Sequence, residues 1–173
     1  PVDASENWTL ETTGAYAKTS DLTITKTVED DTKEIERDRS KPEDIANSEK
    51  VTFTVNTTIP SYSDAYLDTG DHKLTFEIKD TINAGLRYCG APTDTVQVTA
   101  PKKTVDGASV AAELGTDYTV TYYDKNNNVL APDKYETDAA YFIVSFDPAY
   151  LKSLAAATDR TVTITYKAFV TAA

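Results

Sequence analysis

The sequence predicts an all-β fold, an antiparallel sandwich carrying one short helix. Three observations lead there. Short runs rich in Val, Ile, Thr and Tyr alternate apolar with polar residues, and turn residues separate them at fairly regular spacing. The composition holds 11 tyrosines and only six glycines, a balance that favours strands. One segment alone combines a helix cap with a run of good helix formers.

Taken in order, residues 1–20 read as a linker or an extra N-terminal strand, with 8–12 the candidate. Residues 21–173 read as a single sandwich domain. Residues 22–28 form its first strand, with Leu22, Ile24, Lys26 and Val28 on one face and three threonines on the other. Charge dominates residues 29–50, which predicts an exposed loop. In residues 50–58, Val51, Phe53 and Val55 share a face, and Pro60 ends the strand. In residues 73–80, Leu74, Phe76 and Ile78 point inward, and the same parity turns Asp80 inward. A turn is expected around Gly85, strands at 95–99 and 117–123, a loop at 101–107 and a polar turn at 124–128. Residues 141–146 follow as a strand. Asp147 then caps the one helix, Pro148 takes its first position, and Ala149 to Ala157 continue it. Residues 161–170 form the last strand.

Composition excludes several classes. The net charge is −11, and no basic stripe is present, so nucleic acid is not a partner. The single cysteine, Cys89, excludes an internal disulfide and reads as a small buried hydrophobe. No run of about 18 apolar residues exists to span a membrane as a helix. The chain opens at Pro1 and lacks methionine, as expected of a piece of a longer protein.

Enzyme signatures are missing. There is no Gly-rich phosphate loop and no nucleophile elbow. His72 is the only histidine, which excludes a His-based triad or a multi-histidine metal site. Asp124, Asn126 and Asn128 begin like a calcium loop, but Val129 and Tyr135 stand where glycine and glutamate are needed, so a hairpin turn is expected. No cofactor is implied. What stands out is Lys26, a cation sharing its face with three apolar side chains. Such a lysine must snorkel, be paired, or react.

The ordered set of motifs resembles a known family. Residues 22–26 (LTITK) are followed by Val51-Thr-Phe-Thr-Val with Ile59-Pro60-Ser-Tyr62. Phe76-Glu-Ile-Lys-Asp80-Thr-Ile comes next, with Gly85-Leu86-Arg-Tyr88. Leu114-Gly-Thr-Asp-Tyr118 follows, then Tyr150-Leu-Lys-Ser-Leu, and Val162-Thr-Ile-Thr-Tyr166-Lys-Ala closes the set. Together these resemble the collagen-adhesin-A-type immunoglobulin-like domain of Gram-positive backbone pilins and isopeptide-forming surface adhesins.

The resemblance implies an extracellular, cell-wall-anchored protein that bears load. It also implies a lysine on the first strand joined to an asparagine by an autocatalytic isopeptide bond, with an aspartate on a middle strand assisting. Lys26 matches the lysine and Asp80 the aspartate. The asparagine is expected on a further strand after Tyr166-Lys-Ala, outside this chain, so the sandwich is expected to be one strand short. A free Lys26 amine near Asp80 follows from that. The implied partners are neighbouring domains or pilin subunits, with strand complementation through an open sheet edge. The alternative is an adhesin module that binds a host matrix protein or glycan through its loops, with Tyr62 and Tyr66 as contacts.

Overall fold

The computed structural model describes residues 23–30, 50–62, 74–89 and 95–170. Among the described residues ten strands form two facing sheets and a separate hairpin, and every pairing between these strands is antiparallel. The first sheet runs β1 (Thr25–Asp30), β2 (Lys50–Thr58), β10 (Thr161–Val170) and β4 (Leu86–Tyr88), with β5 (Gln97–Thr99) also on β10. The second runs β3 (Glu77–Thr81), β9 (Tyr141–Phe146) and β8 (Tyr118–Tyr123).

Alternation decides what lies between the sheets. On β10, Val162, Ile164, Tyr166 and Ala168 are buried. On β9, Phe142, Val144 and Phe146 are buried. Phe142 crosses the gap to meet Tyr166 edge-on at 5.3 Å and Tyr88 at 5.7 Å. Each such side chain contributes about 1.5–3 kcal/mol by leaving water. Geometry of this kind adds about 0.5–1.5 kcal/mol per aromatic pair.

The expected helix is α2 (Pro148–Ser153), and Asp147 caps it as predicted, accepting from the backbone N–H groups of Ala149 and Tyr150. It is shorter than expected. The chain tightens after Ser153, where Leu154, Ala155 and Ala157 each bond the carbonyl three residues back. A second helical turn, α1 (Tyr135–Asp138), was not anticipated. It follows a 3₁₀ turn at Pro132–Lys134, and Tyr135 stacks on Tyr122 at 3.9 Å.

The region expected to be a loop, residues 101–107, instead enters a hairpin of β6 (Lys103–Val105) and β7 (Ala108–Val110). Asp106 and Gly107 both take positive φ, 50° and 79°, as a two-residue turn of this hand requires. Residues 124–128 form the expected polar turn. Asp124 accepts from the N–H groups of Asn126 and Asn128 and from the Asn128 side chain, which holds its carboxyl below the usual range.

The first strand differs from expectation in its bounds and its burial. It runs from Thr25 to Asp30 rather than over 22–28, Leu22 lies outside the described residues, and residues 23–29 are all exposed, Ile24 and Val28 at 55% and 56%. Among the described residues β1 is the end strand of its sheet, so little covers its inner face. Residues 1–22, with the candidate strand at 8–12, lie outside the described residues, as do most of the charged stretch 29–50, His72 and Tyr66. No helix among the described residues is long and apolar enough to cross a membrane.

Two substitutions separate core from cap. Phe142→Ala should cost about 3–5 kcal/mol by opening a cavity between the sheets. Asp147→Ala should cost about 1 kcal/mol by stripping the cap of α2. Urea unfolding of both variants checks the difference.

Candidate functional site

Lys26 and Asp80 arrive from different sheets. Lys26 is on β1, opposite Val55 of β2. Asp80 is on β3, opposite Phe142 of β9. Their parity turns both side chains toward the gap, and Lys26 Nζ donates to Asp80 Oδ1 at 2.6 Å. The lysine side chain keeps 37% of its surface, whereas that of Asp80 keeps 8%. The bond therefore lies at the margin of the core, with the acid inside and the amine near water.

Two rings make the floor. Phe53 and Tyr166 are register partners on β2 and β10 and stack at 5.1 Å. Lys26 Nζ lies 4.7 Å from the Phe53 centroid and 5.4 Å from that of Tyr166. The ring faces attract the ammonium and cover it from one side. Beside the pair runs a groove of about 290 Å³, lined by Lys26, Val28, Phe53, Ile82, Asn83 and Tyr166.

The Tyr166 hydroxyl and Asp80 Oδ2 are both closed to water, and the phenol hydrogen-bonds the Asp80 carboxyl. Burial, then the neighbouring Asp80 charge and that hydrogen bond, push the Tyr166 phenol well above its ordinary pKa. The backbone carbonyl of Asp80 is occupied, accepting from the Tyr88 hydroxyl at 3.3 Å.

Chemically, an amine and a carboxyl in direct contact are the groups that acyl transfer to nitrogen uses, one as nucleophile and one as proton carrier. Asn56 faces away, its side-chain oxygen accepting from Thr163 at 2.8 Å. Asn83 lines the groove from the exposed turn after β3.

Sequence reasoning picked out Lys26 and Asp80 and missed Phe53 and Tyr166 as their setting. The alternation of residues 161–170 carried the signal for Tyr166. It also missed a second ion pair. Lys103 Nζ donates to Asp117 Oδ1 at 2.6 Å, with 19% and 5% of the side chains exposed. Asp117 Oδ2 accepts from the Glu113 N–H at 2.9 Å, so both oxygens of that acid are used. Tyr62 is half-buried, and its hydroxyl donates to the Thr75 carbonyl at 3.1 Å.

The chain matches no protein-family model and no curated protein sequence. Among solved structures it is similar to the fimbrial protein FimP from Actonomyces oris, with a TM-score of 0.46 and 14% identity. The likeness covers 86% of this chain and 27% of that one. At that level of similarity the functional reading rests on the chain's own residues.

Removing the lysine tests the pairing. Lys26→Met leaves the Asp80 carboxylate buried without its cation. The loss should be about 2 kcal/mol at pH 7, below the 3–5 kcal/mol of fully buried pairs because Lys26 is partly in water. Adding Asp80→Asn should recover part of that loss, because no charge is then left buried without a partner. Urea unfolding of the single and double variants reads both outcomes.

Proposed function

We propose that this chain is a structural module of a surface pilus or adhesin, placed outside the cell in a wall-anchored parent protein, where its work is to bear tension. Its sandwich, residues 21–173, is built to be closed by a covalent bond from Lys26 to the side-chain carbonyl of an asparagine supplied from outside the described residues. The observation that carries this is the Lys26–Asp80 contact at 2.6 Å, between two sheets and against two rings, beside a groove that Lys26 lines.

The roles follow from the atoms. Lys26 passes a proton to Asp80, and the neutral amine attacks the carboxamide carbon. Protonated Asp80 hydrogen-bonds the carbonyl oxygen as charge gathers there. A proton moves through Asp80 to the amide nitrogen, the old C–N bond breaks, and ammonia leaves. The chain turns over once on itself and is not an enzyme. A bond of this kind closing a loop of over 100 residues restricts the unfolded chain by about 4–5 kcal/mol on the disulfide analogy. Under tension it also stops β1 from being peeled from its sheet. The surface-binding alternative has less to stand on, because the Tyr62 hydroxyl is spent on Thr75.

Intact mass is the test. A chain extended past residue 173 should be lighter than its sequence by about 17 Da, one ammonia. Lys26→Ala and Asp80→Ala should each restore the full mass, and peptide mapping names the acceptor. Full mass in the extended wild type, or loss that persists in either variant, overturns the proposal.

A further inference from the structure

We propose that β7 is a self-association edge, pairing antiparallel with β7 of a second copy of this chain about a two-fold axis at Ser109. The hydrogen-bond alternation of the hairpin points there. Val105 and Ala108 flank its two-residue turn and exchange the closing bonds, and Lys103 and Val110 exchange the next. Ser109 falls between these pairs, opposite Thr104. Its N–H and C=O therefore turn away from β6, toward the far edge of the hairpin. Among the described residues β7 pairs with β6 alone, and β6 is the strand that meets α2, so β7 is outermost. All three of its residues are exposed. One donor and one acceptor on the same outward residue are self-complementary: two copies of Ser109 exchange two N–H···O=C bonds.

Charge favours a second copy meeting here. Sheet edges are commonly guarded by a lysine, a proline or a bulge, and Ala108-Ser109-Val110 has none of these. The chain carries a net charge of −11, so two copies repel over most of their surface. Residues 107–112 carry no charge. With the axis at Ser109, Asp106 of each copy stands across from Ala112 of the other, and the two acids do not meet. Val105 and Val110, 44% and 39% exposed, share a hairpin face with Ala108, and pairing extends that apolar face across both copies. The edge is also held in order beforehand. Lys103 bonds Asp117 and Tyr150 bonds the Pro101 carbonyl, each at 2.6 Å, so pairing orders little new chain. A strand of three residues buries less than a standard interface, and the dimer is accordingly weak. The Lys26 site stays clear of it. Asp117 adjoins Tyr118, which pairs with Phe146, whereas Asp80 pairs with Phe142 toward the other end of β9. The contact stands without the cross-linking reading.

The test uses the isotope-labelled 173-residue chain, followed by sedimentation velocity and NMR from micromolar to millimolar concentration. Wild type should self-associate, with concentration-dependent shifts centred on residues 107–112. Ser109→Lys and Ser109→Glu each set like charges directly across the axis, and each alone should weaken association about 5-fold. Mixed in equal amounts, the two variants should associate at least as tightly as wild type, a rescue that misfolding cannot produce. A wild type that stays monomeric at millimolar concentration overturns the proposal. So do shifts centred elsewhere, a single variant that associates as wild type does, or a mixture that stays monomeric. None of these readouts depends on the 17 Da loss, so this proposal and the cross-linking reading fail separately.

Discussion

Strand β10 is the constraint on which the rest depends. Its ten residues bond β2 along nearly their whole length on one side and take β5 and β4 in succession on the other. Its buried face supplies Val162, Ile164, Tyr166 and Ala168 to the gap. A one-residue slip would carry all four outward and bring threonines and Lys167 in, so register here is strongly specified. That register sets Tyr166 opposite Phe53, and Phe53 opposite Val28 of β1. The floor under Lys26 therefore follows from hydrogen bonds made two strands away.

Parity along a strand is written in the sequence, and this made the pair legible. Residues 22–28 and 73–80 each alternate cleanly enough to orient one polar residue among apolar neighbours. Asp80 is 8% exposed, as its parity predicted. Parity says which face a residue takes and nothing about what covers that face. Hence Ile24 and Val28 share the face of Lys26 and are still more than half exposed. The covering depends on which strands reach the margin, and that depends on pairings between segments far apart in the chain.

The hairpin β6–β7 was missed for a different reason. The local signal was present in Asp106-Gly107, the dipeptide that tolerates two positive φ angles. Its flanks gave no support. Residues 103–105 and 108–110 are short, and Ala108, Ser109 and Val110 are all exposed, so no alternation marks them as strands. What anchors β6 is non-local: Lys103 bonds Asp117, and Tyr150 on α2 donates to the Pro101 carbonyl at 2.6 Å.

The two lysine–aspartate pairs separate structure from chemistry. Their N–O distances are equal, 2.6 Å, and the Lys103–Asp117 pair is the more deeply buried. On distance and burial alone it would be the better candidate for a reactive amine. The surroundings of the two amines differ. Asp117 has each oxygen bonded, one to Lys103 and one to the Glu113 N–H, and the Lys103 side chain is only 19% exposed. Lys26 is 37% exposed, lies over the faces of Phe53 and Tyr166, and lines a groove. The deeper pair therefore serves the hairpin it anchors, whereas the shallower one holds an amine at the margin of the core where a further group can approach it.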